Sequence, residues 1–165
     1  VFVNYQSYED EYAIAERTTI DHNPTINQVM TAEGILSYQH LVRRVPVAPD
    51  VLRYALNLTR ASRPTDPTSP EFVRRLVVWG GGPRTIQALV LGAKCRAVLK
   101  GRHHVSTEDI RELARPVMRH RLVMSFSAEA EGYNPDRLVD ELVKVIDPHA
   151  TTAGSDDRYR KALSA

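Results

Sequence analysis

Apolar residues return every three or four positions along most of this chain, the period of a helix and not of a strand. Val1 to Val3 read as a short strand. Ser7 then opens a first helix, with Asp10 at roughly capping-box spacing. Tyr8, Tyr12 and Ala15 form its stripe beside Ile14, and it ends near Thr19. "DHNPTINQ" is a loop. Thr31 caps a second helix, about 32 to 45, with Ile35, Tyr38, Val42 and Val45 on one side. "RVPVAPD" breaks it. Pro49 suits the first turn of a third helix, where Val51, Tyr54, Ala55 and Leu58 recur at helical spacing.

"SRPTDPTSP" reads as a polar loop, and its Ser69 and Pro70 cap and open a fourth helix over about 70 to 79. Three glycines follow. Pro83 opens a fifth, longer helix with Ile86, Leu89, Val90, Ala93 and Ala97 inward, widened by Leu91 and Cys95. Gly101 is its natural stop. Ser106 with Asp109 caps a sixth helix carrying Ile110, Leu113 and Val117, which Pro116 kinks or divides. Asn134 and Pro135 begin the last, with Leu138, Leu142 and Val145 in register. After Pro148 the chain turns polar, the pattern of a flexible tail over 149–165. The pattern therefore predicts a mainly α fold of about six to seven helices with one or two very short strands. "VPVAPDVLRYA" and "HHVSTEDIREL" share a plan, so Val47 and Val105 either pair as a minimal bridge or act as plain connectors.

Composition narrows the function. With 42% hydrophobic residues in 165, a real core can form. The net charge of +2 argues against a dedicated nucleic-acid binder, which needs a strong basic excess. One cysteine cannot make an internal disulfide, and a reducing cytoplasm is the expected compartment. No apolar run is long enough to span a membrane, and "VFVNYQSYEDE" turns acidic too early for a signal peptide. The chain starts at Val1 without methionine, as a piece of something longer would.

Candidate chemistry is sparse. Metal sites need closely spaced Cys and His, whereas His103 and His104 are adjacent and point apart in extended chain. Cys95 sits on the apolar side of its helix, as a core residue would. No nucleophile motif or carboxylate pair stands out, so the chain is not an enzyme by itself. "RHR" at 119–121 is either a favourable charge at a helix end or an anion or subunit contact. "GGGPRT" lacks the spacing and the lysine of a phosphate loop. Arg84, however, stands in the first turn of a helix, where a cation opposes the helix dipole unless an anion binds it. The residues alone leave two readings open, a helical hairpin with an exposed arginine or a phosphate contact.

The stretch from "VVWGGGPRTIQALVLGAKCRAVLKGRHHVSTEDIREL" through "RHRLVMSFSAEAEG" resembles the lid domain of MoxR-type AAA+ ATPases. Trp79, Gly82, Pro83, Arg84, Ala88, Leu89, Ala93, Lys94, Arg96, Val105, Ser106, Glu108, Asp109, Arg119, His120 and Arg121 follow the family pattern. "YQSYEDEYAIAERTT" is similar to the segment leading from the last core strand into the lid, so the resemblance covers roughly residues 1 to 148. The family's Walker A, Walker B, sensor 1 and arginine-finger residues are absent from this sequence, and in relatives they lie upstream. The resemblance implies the end of the core over 1–6 and a helical lid over 7–148.

It implies roles as well. Arg84 would be the sensor 2 residue, reaching the γ-phosphate of ATP. Ile14 would line the adenine pocket, and Gly82, Pro83 and Ala88 would shape its wall. Gly81 stands where many relatives have alanine, which would loosen the turn slightly. ATP with Mg2+ would be held mainly by the core, the metal wholly so. Implied partners are that upstream core, neighbouring subunits of a ring, usually a hexamer, and in some cases a von Willebrand factor A domain protein. The implied activity is ATP hydrolysis in a cytoplasmic, chaperone-like machine that assembles or activates partner complexes. The alternatives are a non-catalytic helical interaction domain, or a nucleic-acid-binding module using Arg43, Arg44, Arg74, Arg75, Arg119 and Arg121.

Overall fold

The computed structural model describes residues 4–21 and 24–148. The expected strand at Val1–Val3 and the tail from 149 lie outside the described residues. Two compact units divide the chain, residues 1–40 and 41–165.

In the first unit α1 (Tyr8–Thr18) starts where the Ser7 hydroxyl accepts the Asp10 amide at 3.2 Å. Glu9, Asp10 and Glu11 then place negative charge at the positive end of its dipole. α2 (Ala32–Arg44) begins at Thr31, whose hydroxyl accepts the Gly34 amide, and runs across the boundary into the second unit. Neither helix buries a single residue.

The second unit holds the core. α3 (Pro49–Ala61) buries Val51, Tyr54, Ala55 and Leu58, the predicted stripe, together with Thr59 and Ala61. α5 (Pro83–Leu99) packs against α3 and, more extensively, α6 (Thr107–Met118), and α6 packs on α8 (Pro135–Val145). Along α5 the buried line is Thr85, Leu89, Ala93 and Ala97, a strict four-residue step. Its small side chains let the neighbouring helix approach. Leu58, Leu76, Leu89, Ile110, Met118, Leu138 and Leu142 are fully enclosed. Each contributes about 2 kcal/mol of apolar burial.

Several expectations are corrected. The fourth helix, α4, covers only Glu71–Leu76; Val77–Trp79 form a strand, β1, paired antiparallel with β2 (Val123–Met124). β-branched valines and a tryptophan favour the extended chain once a partner strand is present. Ser69 does not cap α4: Pro70 occupies the cap, and the Ser69 hydroxyl donates instead to the Arg63 carbonyl. A short helix, α7 (Phe126–Ala130), capped by Ser125, follows β2 and was not foreseen. Pro116 does not divide α6, which continues to Met118. Val47 and Val105 form no strand bridge, although the Val105 amide reaches the Pro46 carbonyl at 3.4 Å. Gly101 does end α5, with φ of +68°.

Candidate functional site

The glycine run joins β1 to α5, and its glycines are not there for a left-handed turn. Among the described residues only Gly101 and Gly132 have positive φ. Gly80 is required by proximity. A Cβ there would lie 2.3 Å from the Ser62 carbonyl oxygen and 2.7 Å from the Arg63 Cα. Gly81 is held at both polar ends. Its amide donates to Ser62 Oγ at 2.9 Å, and its carbonyl accepts from Arg63 Nε at 2.8 Å. A Cβ on Gly81 would meet Thr85 Oγ1 at 3.0 Å and Thr59 Cγ2 at 3.1 Å. The expected sharp turn between two helices, loosened by Gly81, is thus a pinned connection from a strand. Gly82 is the extended cap of α5, with open space where a side chain would be.

The pins come from the stretch read as a polar loop. Ser62, Asp66 and Ser69 are buried there. Ser62 Oγ donates to the Thr59 carbonyl at 2.6 Å while accepting the Gly81 amide. Burial alone would raise the Asp66 carboxyl, but hydrogen bonds from the Thr68 hydroxyl and amide and from Arg60 outweigh it and hold the pKa at about 2.

On this footing Pro83 fixes the first residue of α5 and Arg84 stands second. Arg84 is exposed. No acidic residue lies in the first turn, and no side chain caps it. Among the described residues Arg84 makes no ion pair or side-chain hydrogen bond. An unpaired guanidinium at the positive end of a 17-residue helix is favourable only beside an anion. These residues therefore fit a phosphate. A cleft of about 350 Å³ borders them, lined by Arg63, Val78, Trp79, the three glycines and Pro83. Trp79 is 70% exposed at its rim. Ala88 lies one turn beyond Arg84 and is half-buried. Ile14 belongs to the first unit, where its side chain is 52% exposed. No group of three or more His, Cys, Asp or Glu among the described residues is placed to hold a metal.

Other candidates resolve differently. Cys95 is exposed, not core, because the buried line of α5 steps through Ala93 and Ala97 on either side of it. Four of the six arginines offered for nucleic acid are engaged. Arg74 donates to the Pro67 carbonyl, Arg75 pairs with Glu131, Arg119 Nε lies 3.0 Å from Asp136, and Arg121 reaches the Val117 carbonyl. The "RHR" cluster thus has structural partners for both arginines, and His120 is exposed. Asp109 is fully buried and holds the α5–α6 junction. It takes both Arg102 nitrogens and Arg96, and closes a capping box with Ser106. Burial opposes its charge, but these donors prevail and keep its carboxyl far below the usual carboxylate range.

Residues 71–142 match the family described as the AAA lid domain. The sequence is 25% identical over 144 residues to the chaperone MoxR1 of Mycobacterium tuberculosis, covering 87% of this chain and 38% of that one. It is 32% identical over 142 residues to the MoxR protein of Paracoccus denitrificans, covering 78% and 40%. The chain carries a MoxR-type AAA+ lid. Its fold agrees with a crystal structure of a candidate ATPase from Cytophaga hutchinsonii, with a TM-score of 0.75 and 22% identity over 88% of this chain and 44% of that one. The MoxR-type lid described here spans about two fifths of the length of the curated relatives it matches. No helix among its described residues is long and apolar enough to cross a membrane.

Proposed function

We propose that this lid serves ATP hydrolysis in a longer MoxR-type protein, and that Arg84 is its sensor 2 residue. The observation that carries the reading is the unpaired Arg84 at an acid-free helix start. ATP supplies the phosphoanhydride bond whose cleavage drives such machines. This chain's part is to present a guanidinium fork to the terminal phosphate and to stabilise charge there. Gly82 and Pro83 bring the backbone close, since a side chain at Gly82 would otherwise fill open space beside the cleft. Ala88 keeps the next turn small, and Ile14 offers an apolar surface to the adenine ring. The bulk of the phosphate cradle and the Mg2+ belong to the core domain of the full-length protein.

The MoxR names of the relatives, one of them a chaperone, support a chaperone-like role in assembling or activating partner complexes. Oligomeric rings, hexameric in the commonest case, and a von Willebrand factor A domain partner complete the proposal. The lone cysteine accords with a cytoplasmic home. In the full-length protein, Arg84→Ala is expected to leave the circular dichroism spectrum and Tm unchanged while lowering ATP turnover by roughly a hundredfold. Turnover within twofold of wild type would remove Arg84 from the site.

A further inference from the structure

We infer that Ser62 and Arg63, at the end of α3, are positioning residues for Arg84. This rests on the sensor 2 reading and adds residues that neither motif nor family match singles out; both lie before the matched segment 71–142. The contacts converge on one residue, Gly81, and the two peptide groups that flank it. Ser62 Oγ accepts the Gly81 amide, Arg63 Nε donates to the Gly81 carbonyl, and the Ser62 carbonyl abuts Gly80 so closely that no Cβ fits. Arg84 lies three residues further along, past the extended cap Gly82 and past Pro83, whose ring fixes φ at the first residue of α5. Fixing both peptides of Gly81 therefore constrains where α5 begins and where the Arg84 side chain starts. Ser62 is itself immobilised, fully buried and donating to Thr59. Arg63 is steadied by the Ser69 hydroxyl on its carbonyl.

The geometry also says which part of Arg63 matters. The bond is made by Nε, four bonds out from Cα. Glutamine carries its amide nitrogen at the same remove, so Arg63→Gln keeps the donor and removes the charge, while Arg63→Ala removes both. If Arg63 positions, the expected order of ATP turnover in the full-length protein is wild type, then Arg63→Gln within about threefold, then Arg63→Ala lower by roughly tenfold or more, because small displacements of a catalytic group are costly. KM for ATP should move less than kcat. In an Arg84→Ala background, Arg63→Ala should cost nothing further, since residues acting through one group are not additive. Loss of equal size in Arg63→Gln and Arg63→Ala would mean direct charge contact and would overturn the proposal, as would additive loss in the double variant.

A readout free of nucleotide stands beside this. In the 165-residue chain, amide hydrogen exchange at Gly81 should accelerate roughly tenfold or more in Ser62→Ala, because its acceptor is gone. An unchanged rate would sink the clamp. If instead Gly81 exchange rises while Arg84→Ala leaves turnover intact, the clamp stands as a structural device and the sensor 2 reading alone has failed.

Discussion

The first unit and the second carry similar amphipathic patterns with opposite outcomes. Tyr8, Tyr12 and Ala15 on α1, and Ile35 and Tyr38 on α2, repeat at helical spacing as faithfully as Val51, Tyr54 and Leu58 on α3. Yet the α3 residues are enclosed, whereas Tyr12 is 60% exposed and Ile35 48%. Periodicity reports that a face is made to be covered. It does not report whether the covering surface lies in the same stretch of chain.

The contrast can be attacked directly. Leu58→Ala should be the most damaging change, costing about 4 kcal/mol by urea unfolding, because its enclosed site cannot collapse. A loss under 1 kcal/mol would mean the core is far looser than its burial. Next comes Gly80→Ala, where the new methyl must displace the Ser62–Arg63 backbone, at about 3 kcal/mol; Gly82→Ala, with open space and negative φ, should cost less than about 0.5 kcal/mol. Equal effects at the two glycines would contradict the clamp.

Acid comes third. The Asp66 pKa is lowered from 3.8 to about 2, so its contribution is fully present above the unfolded value and is lost as pH falls through the folded one. Asp109 acts in the same direction. Stability should therefore drop between about pH 4 and pH 2, by at most about 2 kcal/mol for Asp66, and Asp66→Asn should flatten that part of the profile. Smallest of all, Tyr12→Ala should change the unfolding free energy of the 165-residue chain by less than about 0.5 kcal/mol. A larger loss would show that α1 is covered in solution.

What could be read beforehand follows the range of each interaction. Helix starts are local, and Ser7, Thr31, Pro49, Pro83, Ser106 and Asn134 all mark real ones. β1 was missed because its partner lies more than forty residues on, though Val77, Val78 and Trp79 in a row were a usable signal. α7 spans five residues, too few to show a period. Arg84 was legible as a candidate, because its oddity, a cation at a helix start, is itself local. Ser62 and Arg63 were not, since they act across 18 and 19 residues on a backbone rather than a side chain. Cys95 was misplaced because a wide apolar face hides which line of it touches the neighbour; the alanines were the better guide.

The Arg102–Asp109 junction gives the molecule a mechanical property. α5 is a rod of about 25 Å, held at one end by the pinned glycines and tied at the other to the start of α6, where Arg96 of the helix and Arg102 of the linker both reach Asp109. A rod so clamped cannot absorb a push by fraying or bending at its tip. Along its length α5 packs on α3 and α6, and α6 packs on α8, so the helix that presents Arg84 is continuous with the core. The second unit is in this sense a rigid mount for one exposed guanidinium.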